Sequence, residues 1–186
     1  MFNSWSKRLA HFAVILVIFA LFAGSASVYA QDIAIGQATA NVLAVLTVTA
    51  THDLVFGDVY QGVPHDASKI LIADAGVFQV TGEGGSEIAM YFQLPDYLWN
   101  STNTDRLAIS FDITDADIDT TAAGTPAAHG LGAIADVDPH NLPNTALGGA
   151  GNILQIFLGG TVFPTVDQEA SAYTSDIILT VAYTGN

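Results

Sequence analysis

Cysteine is absent from the 186 residues, and positive charge is nearly so: four Lys and Arg stand against 18 Asp and Glu. Without cysteine there is no disulfide staple, no thiol nucleophile, no thiolate metal site and no lipid-modified cysteine. Stability must come from an apolar core and from strand ladders. The shortage of Lys and Arg excludes docking on a phosphate backbone and argues against anionic lipid. Catalytic signatures are missing as well. There is no H-E-x-x-H, no G-x-S-x-G, no Walker loop and no dinucleotide fingerprint. The Gly-rich pieces GEGG and LGGAGN lack the strand-to-helix setting of a phosphate cradle and read as turns. His52, His65, His129 and His140 form no close H-x-H pair. The expectation is a protein that is not an enzyme and carries no organic cofactor.

What the chain does have begins with an address. Lys7 and Arg8 precede an apolar run at 12–23, FAVILVIFALFA, and Val28-Tyr29-Ala30 offers small residues at the −3 and −1 positions of a cleavage site. This predicts a signal peptide over 1–30 and a secreted or cell-surface protein. The run is shorter than the ~20 residues of a spanning helix, so no stable membrane anchor is expected. Cleavage would leave 156 of the 186 residues, enough for one domain with a sizeable core. Only Lys69 and Arg106 would remain basic against the 18 acidic residues, a net charge of −16. Such a surface favours solubility, bound cations or basic partners.

Beyond residue 30 the pattern is all-β. Runs rich in Val, Ile, Phe, Tyr and Thr at 42–50, 54–60, 70–73, 77–81, 88–94, 107–113, 153–158 and 175–183 read as strands. Gly57 inside one of them suggests a bulge or a close backbone approach. Residues 74–76 and 82–85 read as hairpin-like turns. The spacing predicts a single antiparallel β-sandwich over 42–186. Two regions break the rhythm: a polar loop at 95–105, PDYLWNSTNTD, and a long Ala/Gly/Asp/Thr/Pro-rich insert near 114–152. Asn100-Ser101-Thr102 matches a glycosylation sequon. Tyr97 and Trp99 suit a sugar-stacking platform or a cap on the end of the core.

Two motifs stand out. Asp53, Leu54, Phe56 and Gly57 form a D-L-x-F-G run. Gly159, Gly160 and Thr161, then Tyr173, then Val181 and Tyr183, form a closing pattern in which 177, 179, 181 and 183 alternate onto one face. Residues 78–82 match more loosely. Together these resemble a family of secreted bacterial proteins defined as a domain of unknown function and likened to pilin and immunoglobulin-like sandwiches. The resemblance covers most of 38–183 apart from the insert. It implies a pilin-like β-sandwich exported by a diderm bacterium.

Residues 31–41, QDIAIGQATAN, precede the first confident strand. Ile33 and Ile35 alternate with Ala34 and Gly36, followed by Ala38 and Ala40. An extended, weakly apolar arm beside a domain that closes on a strand suits β-strand addition between subunits. Ile33, Ile35, Gly36, Ala38 and Ala40 are then the expected subunit contacts of a homo-oligomeric filament. The alternatives are an arm folded back in cis, a disordered leader, or a monomeric adhesin-like or Ca²⁺-binding surface module. For the last, Asp115, Asp117 and Asp119 would lie on one face of an extended chain, roughly 6–7 Å from one to the next, as hard oxygen ligands for Ca²⁺ or as a solvated acidic turn.

Overall fold

The computed structural model describes residues 37–40, 42–121, 134–148 and 152–185. The chain divides into two units, Met1–Asn41 and Val42–Asn186. Of the first, residues 37–40 are described; they are irregular and exposed. The expected signal peptide and Ile33, Ile35 and Gly36 of the arm lie outside the described residues, as do 122–133 and 149–151 of the expected insert and His129.

The second unit is all-β, antiparallel and sandwich-like, and no helix occurs among the described residues. Its strands are β1 (Thr47–His52), β2 (His65–Ala67), β3 (Gly76–Thr81), β4 (Glu87–Gln93), β5 (Tyr97–Asn100), β6 (Arg106–Ser110) and β7 (Ala116–Asp119). They continue with β8 (Ile134–Val137), β9 (Thr145–Ala146), β10 (Ile153–Leu158), β11 (Gly160–Phe163), β12 (Tyr173–Thr174) and β13 (Ile178–Tyr183). One sheet has the order β1-β3-β10-β7-β8, a second β12-β5-β6-β11-β2, and a smaller third β13-β4-β9.

The core follows from period-two alternation. In β4, Ile88, Met90 and Phe92 are buried while Tyr91 and Gln93 are exposed. Across the first sheet, Phe78, Ile156 and Ile118 stand in one register row and join the main core, as do Val80 and Leu154 in the next inward row. Phe78 meets Phe92 edge to face at 5.0 Å. The opposite face of that sheet is buried too. Val77, Phe157 and Asp117 form one row there, and Gln79, Gln155 and Asp119 the next. Ala75 and Ile72 pack on Val77 and Phe157, so the segment before β3 covers this second face.

Several sequence expectations change on contact with the fold. Residues 54–60 contain no strand. Gly57 adopts a left-handed φ of 65°, and a Cβ there would meet nothing, so it marks a turn and not a close approach. Leu54 and Phe56 still point at the core, because alternation reports which face is buried and not whether a ladder forms. Residues 70–73 make turns, with Asp74 N–H and Ala75 N–H both donating to the Leu71 carbonyl. The stretch expected to be an insert supplies β7, an interior strand between β10 and β8, together with β8 and β9. The polar stretch at 95–105 likewise contains β5. The Gly159-Gly160 pair is a corner: β10 ends at Leu158 in one sheet and β11 starts at Gly160 in the other.

Candidate functional site: an open cleft beside an unpaired edge

The surface carries a cleft of about 880 Å³. One wall is the chain from Ala50 through Val59, and the other is 171–177. The floor is apolar: Phe78 from β3, Leu98 from β5, and Leu107 and Ile109 from β6. Leu54, Phe56 and Ile177 add apolar wall, and Asp53, Asp58 and Asp176 give an acidic rim. Residues of the two motifs, more than a hundred positions apart in the chain, therefore meet here: Asp53, Leu54, Phe56 and Gly57 on one side, Tyr173 on the other.

The cleft lies where pairing stops. β1 is the edge of its sheet, β12 the edge of the second, and β13 the edge of the third. Among the described residues, each has a strand partner on one side only. β1 carries a register shift between Ala50 and His52, a bulge at the lip of the cleft. The side chains that these edges turn inward are incompletely covered. Leu46, Val48, Leu54, Phe56, Leu98, Ile177, Leu179 and Val181 all pack against the core, yet each is only partly buried.

Tyr173 is fixed by a polar cluster at the back of the cleft. Its hydroxyl donates to Asp105 Oδ2 at 2.6 Å and receives the Gln168 amide at 2.9 Å. Asp105 also accepts from Gln168 Nε2 and from Glu169 N–H. The Tyr173 hydroxyl, the Glu169 N–H, the Arg106 N–H and the Gln168 amide hold the Asp105 carboxyl below the ordinary carboxylate value, against the opposing effect of burial. Burial and the bond to Asp105 push the Tyr173 phenol up. Asn100, buried at the same cluster, donates to Thr104 Oγ1 and Glu169 Oε2 and accepts from Thr104 N–H and Asp105 N–H. The sequon amide is therefore an internal strut in the folded chain.

The carboxylates weighed as calcium ligands do not share one environment. Asp115 sits before β7 and accepts from Asp112 N–H at 2.7 Å. Asp117 is 1% exposed and pairs with Lys69 Nζ at 2.8 Å. Lys69 also reaches Asp136 at 2.7 Å and the Thr114 carbonyl. Asp119 accepts from the Thr121 N–H and hydroxyl, both at 2.7 Å. Asp117 and Asp119 do face the same side of β7, as the spacing predicts, but an ammonium already stands against Asp117. No group of three or more His, Asp or Glu close enough to hold a metal occurs among the described residues.

Arg106 lies 4.1 Å above the Tyr97 ring and 6.0 Å from that of Trp99. The guanidinium thus covers ring surface that a sugar would stack on. The expected contacts Ala38 and Ala40 are exposed. Sequence reasoning counts Lys69 and Arg106 toward net charge but assigns neither a partner, and the signal for one was their scarcity. They are the only basic residues after residue 30, and each sits on a specific structural partner.

No protein-family profile and no curated protein sequence matches this chain.

Proposed function

We propose that this protein is a structural subunit of an extracellular bacterial assembly, an immunoglobulin- or pilin-like sandwich that polymerises by β-strand addition of the 31–41 arm to a neighbouring copy. The observation that supports the reading is the β1 edge, which has no second strand partner among the described residues, beside an incompletely covered apolar core. An edge strand is a template for another chain, and the core beneath it gains about 25 cal/mol for each Å² of apolar surface removed from water. Residues 33–41, IAIGQATAN, carry no charge in a chain otherwise rich in carboxylates, and they alternate two isoleucines with small residues. Secretion through the segment at 1–30 puts the subunit where such a polymer would form.

The binding-module reading draws less support. Lys69 stands against Asp117 of the proposed calcium group, and Arg106 lies over the Tyr97 ring and near that of Trp99.

The test is removal of residues 31–41 from the exported protein, with size-exclusion chromatography and negative-stain microscopy beside wild type. Loss of ordered polymers with a folded β core supports the reading. Polymers that form as well without the arm sink it.

A further inference from the structure

Which surface receives the arm, and with what polarity, follows from the direction of β1. The chain enters β1 at Thr47, opposite Thr81, and leaves it at His52, opposite Val77. Immediately before it, Ala44 is tied to the entry end. Its carbonyl accepts from the Tyr183 hydroxyl at 2.8 Å, that same hydroxyl accepts from Glu83 N–H at 2.7 Å, and Ala44 N–H donates to Glu83 Oε2. The cleft opens at the exit end, around Ala50 through Val59. Ala44, just ahead of β1, therefore stands at the end of the strand opposite the cleft.

To fill its own cleft, an arm would have to reverse direction and run back along all six residues of β1, about 20 Å at a strand's rise. An arm that continues outward reaches the next molecule without a reversal. Eleven extended residues span about 36 Å, enough to cross to a neighbour and lie along a six-residue edge. The chemistry of the cleft suits the same occupant. Its floor of Phe78, Leu98, Leu107 and Ile109 wants apolar side chains, and its acidic rim of Asp53, Asp58 and Asp176 disfavours the rest of this acidic surface. The uncharged 33–41 segment meets both conditions.

We infer that the 880 Å³ cleft is the seat for the arm of a second copy of this chain, with Ile33 and Ile35 entering the apolar floor and the arm backbone pairing along the free edge of β1. This rests on the assembly reading above and adds the receptor site and the polarity. An arm that leaves from the entry end of β1 and seats in the cleft at the exit end of a second copy makes a heterologous, head-to-tail contact, the kind that propagates into an open filament and does not close into a two-fold dimer.

The absence of cysteine allows a direct test. Two full-length chains are co-expressed and exported, one carrying Ile35→Cys and the other Ser175→Cys, a polar and exposed position on the cleft wall. A disulfide requires Cα atoms within about 7 Å. The expected result is a mixed disulfide dimer, at least tenfold above a control pairing Ile35→Cys with Tyr91→Cys on the exposed face of β4. No enrichment over that control overturns the assignment of the cleft. If polymers still require residues 31–41 in that case, the assembly reading survives and the seat is elsewhere. If they do not, both fall. A single chain bearing Ile35→Cys and Ser175→Cys that closes into a faster-migrating monomer places the arm in its own cleft and overturns the head-to-tail polarity.

Discussion

Gly159 leaves no room for a side chain. A Cβ there would stand 2.7 Å from the Ala67 carbonyl oxygen and 2.9 Å from Lys69 N, both backbone atoms that cannot swing aside. Gly159→Ala should therefore cost on the order of 1–3 kcal/mol in chemical denaturation, as overpacking does elsewhere. It should act through the corner where the chain passes from one sheet to the other. Lys69 is the second sensitive position. Burial alone would lower its ammonium, but hydrogen bonds and charge from Asp117 and Asp136 outweigh that and raise it above the ordinary 10.5. A raised lysine contributes stability that is fully present below 10.5 and is lost as pH rises through the folded value. Lys69→Met should remove this alkaline limb and cost about 2 kcal/mol at neutral pH. That is less than the ~3–5 kcal/mol of a fully buried pair, because Asp136 remains in solvent. Asp105 behaves oppositely. Its lowered carboxyl contributes stability present above 3.8 and lost as pH falls through the lower folded value. Melting temperatures from pH 5 to 2 should fall more steeply in wild type than in Asp105→Asn, and equal slopes would remove Asp105 from the account.

At the scale of elements, the strands with clean alternation and an interior place in the fold were legible from sequence. β3, β4 and β10 appear where Val, Ile and Phe alternate or run together, and the half-buried set Ile177, Leu179, Val181 and Tyr183 faces the core as its spacing predicts. The errors have physical causes. Residues 54–60 carry a strand-like pattern, but their described main-chain anchor is Val55 N–H to the Asp74 carbonyl, and Gly57 turns the chain away. β7 was read as part of an insert because its second buried face is polar. Asp117 and Asp119 look solvated until Lys69 and Thr121 are placed against them. β5 was hidden by the Asn, Ser and Thr of the turn that follows it. The cleft could not be read at all, since it is made by segments that come together only in the fold. One element-scale contact is testable on its own. The Tyr183 hydroxyl joins Ala44 to the turn at Glu83. Tyr183→Phe should lose about 0.5–1.5 kcal/mol per bond and should speed hydrogen exchange of 42–46 while leaving β10 protected.

At the scale of the whole molecule, the proposed assembly leaves the β1 side of the sandwich for a second copy to complete. Val42 and Val45 are 91% and 85% exposed just ahead of β1. Under the proposed assembly, stability and polymerisation become one quantity, because a subunit that receives an arm gains both a ladder and a covered floor. Leu54→Asp or Leu98→Asp on the cleft should lower both together, whereas the exposed Tyr91→Ser should change neither by more than about 0.5 kcal/mol. The most direct measurement is amide hydrogen exchange of Thr47–His52 in the exported protein over a dilution series, beside the variant lacking 31–41. Half of the β1 amides face β3 and should be protected in every sample. The other half should exchange slowly in concentrated wild type, faster on dilution, and fast at all concentrations without the arm. Outward amides that exchange at one rate regardless of concentration and of the arm would contradict the central claim that a neighbouring copy completes this edge.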